Sequence, residues 1–483
     1  MKKTRLPLSA LLLAACLPLW GLAPAPARGG EALSHLEELE NMTPEAKEKF
    51  LAKKVKEVDG MSQAQVGRYV VRSAFGAESA YYWGAVLDEF TDEALDEGVV
   101  PKKVKKMTRN PPTVYIMKDQ QSYAAMLSQW EIPAPAWSTG LFTYSPKAKG
   151  PILFAWKYSE DEAQMRTTIL HEATHQLLYY HVSPSAVPQW LNEGFATNME
   201  TYDAHRRLKA NLYYNVFASD KANFFPSLKR AEVIPFSRLV NVSNAQWNMA
   251  SDAQANLNYF SAWLTVNYFF TTKEGRKTVG KMLAAYTNKT KAPSLPVKAI
   301  DEQIGAHLDK TVVPCLKYGR LVFFILENRL PDARRAMNVA GALRQKDGGD
   351  IDELRRWIGE LERHGDDAQG RLALAGKIQQ KMLEEFPGNP EALLYGAWIN
   401  LAQGGDDAAK AGQVADDVSK LLKANPDFYH PAHNYVLAAA YFRAGQLGKA
   451  KEFLPKALRD NRKHPATLEL KKAIKEKEAA KAK

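Results

Sequence analysis

The spacing of apolar and polar residues changes character along this chain of 483 residues. From residue 63 to about residue 179, short apolar runs alternate with segments of helical spacing, which predicts a mixed α+β unit. Helical spacing then continues to about residue 326, and beyond residue 328 it persists in a region rich in Ala, Leu and charged residues. The pattern therefore predicts a small mixed sheet with helices, followed by an all-helical region.

Four runs in the first region have the character of strands, and two longer segments have helical spacing. The predicted strands are residues 68–72, 113–117, 140–144 and 151–156, and the predicted helices are residues 78–95 and 120–130. Residues 28–62 are predicted to form an N-terminal helical segment that precedes the sheet.

Capping and proline signals set the bounds of the next helices. Ser159 begins the capping box SEDE, so a helix is expected to start there and to run to about His181. Pro184 and Pro188 end it, and a second helix is expected from Trp190 to Leu208. Tyr259 is predicted to open an apolar helix over residues 259–270, which is too short to span a membrane.

The helical region contains two related pieces. Asn-Pro pairs at residues 389–390 and 425–426 punctuate helix pairs about 36 residues apart, close to the 34-residue period of tetratricopeptide repeats. We therefore expect residues 327–470 to form a helical repeat domain that binds a protein partner, with a Lys-rich tail over residues 471–483. Because solenoid repeats contact mainly their own neighbours, residues 28–326 are expected to fold without them.

Composition excludes several classes of protein. With 46% hydrophobic and 25% charged residues, the chain is typical of globular proteins rather than disordered ones. The net charge of +11 is concentrated at the two ends, where the leader holds three basic residues and the last 13 residues hold six lysines. The charge therefore does not predict a nucleic-acid groove.

The first 27 residues have the pattern of a secretory signal peptide. A basic segment (KKTR) precedes an apolar stretch over residues 6–23 and the small-residue site Ala25-Pro26-Ala27, so export to the periplasm or medium is expected. A lipobox-like string ending at Cys16 keeps open a lipid anchor at that residue. After cleavage at Ala27 only Cys315 remains, so no intramolecular disulfide can form, and no later segment is predicted to cross a membrane.

A metal-ligand motif lies in the middle of the helix predicted to end at His181. His171 and His175 stand at i and i+4 in the string HEATH, so both imidazoles lie on one helical face, with Glu172 beside them. A catalytic zinc ion needs a third protein ligand and an open fourth position. Glu193, in the string WLNEGFA, lies on the next predicted helix and is the candidate for the third ligand.

These two strings resemble the gluzincin metallopeptidases, and residues 65–326 most resemble the peptidase MA-like group of exported bacterial proteins, some of which carry tetratricopeptide repeats. The resemblance implies a zincin-like metallopeptidase domain over residues 63–326. It also implies zinc bound by His171, His175 and Glu193, with Glu172 as the general base. The expected activity is hydrolysis of peptide bonds in a peptide or protein substrate.

The same resemblance suggests further site residues. Gluzincins use a Tyr or His to stabilise the oxyanion, and Tyr259 is the candidate, in competition with three others: Tyr202, His205 and Tyr268. Thr197 and Glu200 follow Glu193 at i+4 and i+7, so either is a candidate acceptor for the second ring nitrogen of a zinc-binding histidine. A solvated role for Glu200 is the alternative.

Two departures from the related enzymes limit the resemblance. The G-x-M-E-N segment that holds a substrate's free amino terminus in aminopeptidases is absent upstream of His171, which favours endopeptidase action. In that case residues 151–156 are either an edge strand that pairs with an extended substrate or a plain core strand. The spacer between the HEATH motif and Glu193 is also one residue shorter than in aminopeptidase N-type enzymes.

Three alternatives to this interpretation remain. The first is a metzincin-type site: His181 stands where metzincins place their third zinc ligand, but Leu178 occupies the position of the glycine that would turn the chain back to the metal. The second is a catalytically silent zinc-binding fold that acts as a protein-interaction scaffold through its helical repeats. The third is a protein that is mainly a binding scaffold, for which the repeat region is the only positive feature.

Overall fold

The computed structural model is mostly helical and contains one small mixed sheet, in agreement with the predicted α+β class. It describes residues 34–97, 100, 107, 110–133, 138–145, 150–157, 162–182, 187–218, 233–288, 290, 294–347 and 351–481. The predicted leader, Cys16 and the capping box at residues 159–161 lie outside these residues. No helix in the described part of the chain is long and apolar enough to cross a membrane.

Six strands form the sheet in the order β1-β2-β3-β4-β6-β5. They are β1 (Val55–Val58), β2 (Met61–Val66), β3 (Tyr69–Ser73), β4 (Thr113–Met117), β5 (Gly140–Ser145) and β6 (Gly150–Trp156). β3, β4 and β6 run parallel to one another, whereas β5 pairs with β6 in antiparallel register, with Phe142 opposite Leu153.

The helices of the first part of the chain pack on this sheet or on one another. They are α1 (His35–Glu40), α2 (Pro44–Lys54), α3 (Ala77–Asp96), α4 (Gln120–Gln129), α5 (Glu162–His181), α6 (Gln189–Met199), α7 (Leu208–Ala218), α8 (Phe236–Leu239), α9 (Asn244–Asn248), α10 (Asp252–Thr271), α11 (Lys273–Asn288) and α12 (Val297–His307). Two π-helical turns, Leu308–Val312 and Cys315–Gly319, then lead into α13 (Arg320–Leu326).

Eight helices follow in the described residues from 330 to 481, and each packs against the next. They are α14 (Leu330–Asp347), α15 (Ile351–His364), α16 (Ala368–Glu385), α17 (Pro390–Gln403), α18 (Ala408–Ala424), α19 (His433–Arg443), α20 (Leu447–Asp460) and α21 (Pro465–Lys481). The Asn-Pro pairs begin a helix only in the first case, where the Asn389 side chain caps α17; the second, Asn425-Pro426, follows the end of α18.

The sheet starts earlier than the sequence analysis expected. Residues 55–58 form a strand and β2 begins at Met61, so the predicted helical segment over residues 28–62 is wrong for its last part. Asp59 and Gly60 both have positive φ (53° and 75°) and join β1 to β2 directly. An Asp-Gly pair is a strong signal for such a two-residue hairpin, and this signal was present in the sequence.

The structure decides one open alternative and corrects two predicted bounds. β6 is not an edge strand, because β5 covers its outer side and itself forms the edge. The helix predicted from Trp190 to Leu208 is two helices, since α6 ends at Met199 and α7 begins at Leu208. The helix that carries Tyr259 begins seven residues before it, at Asp252.

The all-helical region shares a core with the first part of the chain. One continuous cluster of buried apolar side chains extends from Leu36 to Ile474, and the rings of Tyr213 and His430 meet across the boundary at 4.9 Å. Ile474 also lies inside α21, so the predicted tail from residue 471 belongs to a packed helix.

Ion pairs reinforce this junction. Arg207 lies 2.7 Å from Asp460, whose side chain is fully buried. The Arg462 guanidinium pairs with Glu37 at 3.2 Å and with Glu89, while its backbone N–H donates to the carbonyl of His205. Because a buried charge that loses its partner is strongly destabilising, the two regions depend on each other.

We therefore expect a chain ending at residue 326 to lose its cooperative thermal unfolding transition, contrary to the prediction that residues 28–326 fold alone. The truncation exposes apolar core at the junction and leaves Arg207 without its buried partner. Circular dichroism melts of the truncated and full chains, with dye binding to exposed apolar surface, measure the effect. A cooperative transition in the truncated chain would restore the sequence-based prediction.

Candidate metal centre

Two helices bring the predicted ligands together. α5 places His171 and His175 one turn apart on the same face, and α6 packs against α5 so that Glu193 faces both rings. One ligand atom from each of the three residues lies within 4.8 Å of the others, the one such group of three found among the described residues. Glu193 is buried, and the two histidines are partly buried.

The donor atoms fit a small tetrahedral cation. Oε2 of Glu193 lies 3.3 Å from Nε2 of His171 and 3.6 Å from Nε2 of His175. In a tetrahedron with metal-ligand distances of 2.0–2.2 Å, neighbouring ligand atoms are about 3.4 Å apart. Both distances from the carboxylate oxygen to an imidazole nitrogen are close to this value, and two imidazoles with one carboxylate are a ligand set of catalytic zinc sites.

Hydrogen bonds fix the orientation of all three ligands. Nδ1 of His171 lies 3.0 Å from Oε1 of Glu200, and Nδ1 of His175 lies 3.0 Å from Oδ1 of Asn192. When a proton is held at each Nδ1 by these acceptors, Nε2 is the ring nitrogen left to bind a metal ion beside Glu193. The other carboxylate oxygen of Glu193, Oε1, accepts from the side-chain amide of Gln189 at 2.8 Å.

The carboxylates give the centre an electrostatic preference for positive charge. Burial alone would lower the pKa of His171, but hydrogen bonds and charge from Glu193 and Glu200 outweigh burial and raise that pKa to about 10. Burial likewise favours a raised pKa for Glu193, yet the two imidazoles and a hydrogen bond from Tyr259 hold it below its usual value. Such an environment stabilises a cation between the three ligands.

Glu172 lies beside the ligands and contacts the edge of the sheet. Its Oε2 accepts a 2.8 Å hydrogen bond from the backbone N–H of Phe142 in β5. The neighbouring Gly140 permits this close approach, since a Cβ there would lie 2.4 Å from Cγ2 of Thr168 and 3.1 Å from Cγ of Glu172. The carboxylate is thus oriented by the edge strand rather than by the ligands.

Tyr259 is the predicted oxyanion-stabilising residue that reaches the centre. It lies on α10, is close enough to Glu193 to help hold the pKa of that carboxyl down, and packs edge-on against Trp247. A Cβ on Gly194 would lie 2.4 Å from the carbonyl oxygen of Ala262, so glycine allows α6 and α10 to pack this closely. Burial, with the nearby Glu193 charge, raises the pKa of Tyr259, so its hydroxyl stays protonated and can donate.

The competing residues have other partners. Tyr202 packs against Phe90, His205 lies 3.1 Å from Glu40, and the Tyr268 hydroxyl donates to Gln303. His181 is the last residue of α5, is 1% exposed and is not in the ligand group. The helix therefore continues through Leu178 as predicted.

Of the two residues predicted to support the ligands, only Glu200 contacts one of them, and two residues that were not predicted, Asn192 and Gln189, do so as well. Glu200 contacts His171, whereas the backbone carbonyl of Thr197 accepts from Asn215. Asn192 and Gln189 were missed, although Asn192 directly precedes Glu193 and Gln189 stands one turn before it. Their position on the ligand's own helix was the available signal.

Comparisons with protein families, with curated proteins and with solved structures find no match to this chain. The geometry of this centre is therefore the main structural indication of what the protein does.

Proposed function

We propose that the protein is a zinc-dependent peptidase that hydrolyses internal bonds of peptide or protein substrates. The observation that carries this proposal is the spacing of Nε2 of His171, Nε2 of His175 and Oε2 of Glu193, with a non-ligand carboxylate, Glu172, in the adjacent position. A merely structural zinc site is usually closed by four protein ligands. Three ligands with a glutamate beside them favour catalysis.

Zinc held by these ligands would act as a Lewis acid and lower the pKa of a bound water molecule to about 7. Glu172 is suited to accept the proton of that water and to pass it to the leaving amine. Tyr259 can donate its hydroxyl proton in a hydrogen bond to the carbonyl oxygen as negative charge develops there. Glu200, Asn192 and Gln189 keep the ligands in place.

β5 supplies the proposed substrate edge, the role that the sequence analysis considered for residues 151–156. Along an antiparallel strand, the N–H and C=O groups of alternate residues point to opposite sides. Because the N–H of Phe142 points to Glu172, the polar backbone groups of Gly140 and Tyr144 also point away from β6. An extended peptide that pairs there passes beside Glu172.

Export remains part of the proposal, on the strength of the signal-peptide pattern in residues 1–27, with a lipid anchor at Cys16 as the other form of the mature protein. The helical region after residue 327 is the proposed contact for a protein partner. Its packing against α1, α3 and α7 means that any such partner would bind a surface continuous with the peptidase unit.

The decisive experiment is cleavage of an unbiased peptide library by the purified chain from residue 28 onwards, with metal analysis of the same sample. We expect zinc to co-purify, a chelator to abolish cleavage, and added zinc to restore it. Folded protein that neither contains zinc nor takes it up from solution would refute the metal site. Protein that binds zinc but cleaves no library member would support the silent scaffold instead.

A further inference from the structure

Three aromatic side chains lie next to the candidate metal centre, and the proposed catalytic steps use none of them. Phe142 and Tyr144 stand two residues apart on β5, so their side chains point to the same face of the sheet. Both rings meet the ring of Tyr179, Phe142 edge-on at 5.8 Å and Tyr144 in a stacked arrangement at 6.0 Å. We call these three residues the aromatic platform.

Tyr179, the helical member of the platform, lies on the same face of α5 as the two histidine ligands. His171, His175 and Tyr179 stand at successive i+4 positions, so the Tyr179 ring follows the two imidazoles along the helix. On the strand side, the order is the same: Gly140 approaches Thr168, Phe142 contacts Glu172, and Tyr144 contacts Tyr179. The platform thus lies at one end of the edge strand, beyond the metal centre.

The three side chains of the platform are more exposed to solvent than is usual for aromatic residues. Tyr144 is 50% exposed, one of the most exposed large hydrophobic side chains in the described part of the chain, and Phe142 and Tyr179 are only partly buried. The backbone groups of Tyr144 that point away from β6 belong to the residue whose ring stacks on Tyr179. A substrate peptide could therefore hydrogen-bond to the backbone of Tyr144 and at the same residue place a side chain against its ring.

We propose that the aromatic platform is a specificity subsite that selects substrates with an aromatic or large aliphatic side chain. This inference rests on the proposed peptidase function and names the class of substrate. When a peptide pairs with β5 in antiparallel direction, its amino-terminal side lies toward Tyr144. The selected side chain belongs to the residue opposite Tyr144, about two positions on the amino side of the residue opposite Phe142.

The chemistry of the platform favours such a side chain over a polar or charged one. Directly opposite residues on antiparallel strands have Cβ atoms about 4.5–5.5 Å apart, so a ring at that position reaches the Tyr144 ring. Aromatic pairs contribute beyond the area that they bury, and a partly exposed platform gains this contact only when substrate binds. A small side chain would leave the two rings exposed to water.

The test uses the full mature chain with zinc and two matched peptides that differ only in Phe or Ala at this position. We expect wild-type protein to favour the Phe peptide by about 2- to 12-fold in kcat/KM. Tyr144→Ala should reduce that ratio to near one by lowering kcat/KM for the Phe peptide, while the protein keeps its zinc. Tyr144→Phe should keep the preference, and so should Thr143→Ala, whose side chain points to the opposite face.

The outcomes separate this inference from the function on which it rests. Cleavage of both peptides by wild-type protein without preference, or an unchanged preference in Tyr144→Ala, overturns the subsite and leaves the peptidase intact. If wild-type protein cleaves no peptide of a wider library, the proposed function fails, and the subsite fails with it.

Discussion

Glu172→Gln is expected to lower the rate of peptide hydrolysis by about 10²- to 10⁴-fold while the protein keeps its zinc. The amide has nearly the same shape as the carboxylate and can still accept the hydrogen bond from the N–H of Phe142, so the fold is preserved. It cannot accept a proton at neutral pH, which removes the general base. Zinc is retained because Glu172 is not one of the three ligands.

The measurement combines kcat/KM on one cleaved peptide with metal analysis of the same samples. Glu48→Gln is the matched control, because Glu48 is an exposed residue of α2 outside the centre, and its variant should behave as wild type. Equal activity of Glu172→Gln and wild type would remove Glu172 from its proposed role. Loss of zinc together with activity would show instead that Glu172 supports the ligands.

Local sequence patterns were sufficient to predict the two helices that carry the ligands. The i and i+4 spacing of His171 and His175 is a property of one helix, and Glu193 follows in a segment whose helical character is also local. These features need no knowledge of distant residues. The same reasoning predicted that α5 continues through Leu178 to His181.

Contacts between distant segments could not be predicted in this way. The Phe142 N–H reaches Glu172 only because β5 forms the edge of the sheet. The alternation of apolar and polar residues within one strand does not indicate the order of the strands in the sheet. For this reason the sequence could not decide whether residues 151–156 form an edge strand or a core strand. The contact between His175 and Asn192 spans two helices, and its acceptor was overlooked in favour of Thr197.

The repeat pattern did not predict that the helical region shares a core with the first part of the chain. Helical spacing after residue 328 indicated helices that stack on their neighbours, and the structure has such helices. The pattern contained no information about the partners of single buried charges, such as Arg207 with Asp460 and Arg462 with Glu89. These pairs join segments more than 250 residues apart, which is why we expect the two regions to unfold together.

The strongest effect on metal binding is expected from Glu193→Ala, with His181→Ala as the matched comparison. Loss of residues that only orient a metal ligand costs about 10- to 100-fold in affinity, so loss of the ligand itself should cost more than about 100-fold. Glu193 has one oxygen 3.3 Å and 3.6 Å from the two imidazole Nε2 atoms, and no other carboxylate among the described residues joins that group.

His181 should contribute nothing to zinc affinity. Ten residues beyond His171 on a continuous helix, it points about 280° around the axis, whereas His175 lies about 40° from His171. Its side chain is buried at the end of α5, so thermal melts and a second variant, His181→Asn, distinguish a loss of stability from a loss of metal. Zinc titration of the folded variants decides the matter: tight binding by Glu193→Ala and weak binding by both His181 variants would replace the proposed ligand set with the metzincin arrangement.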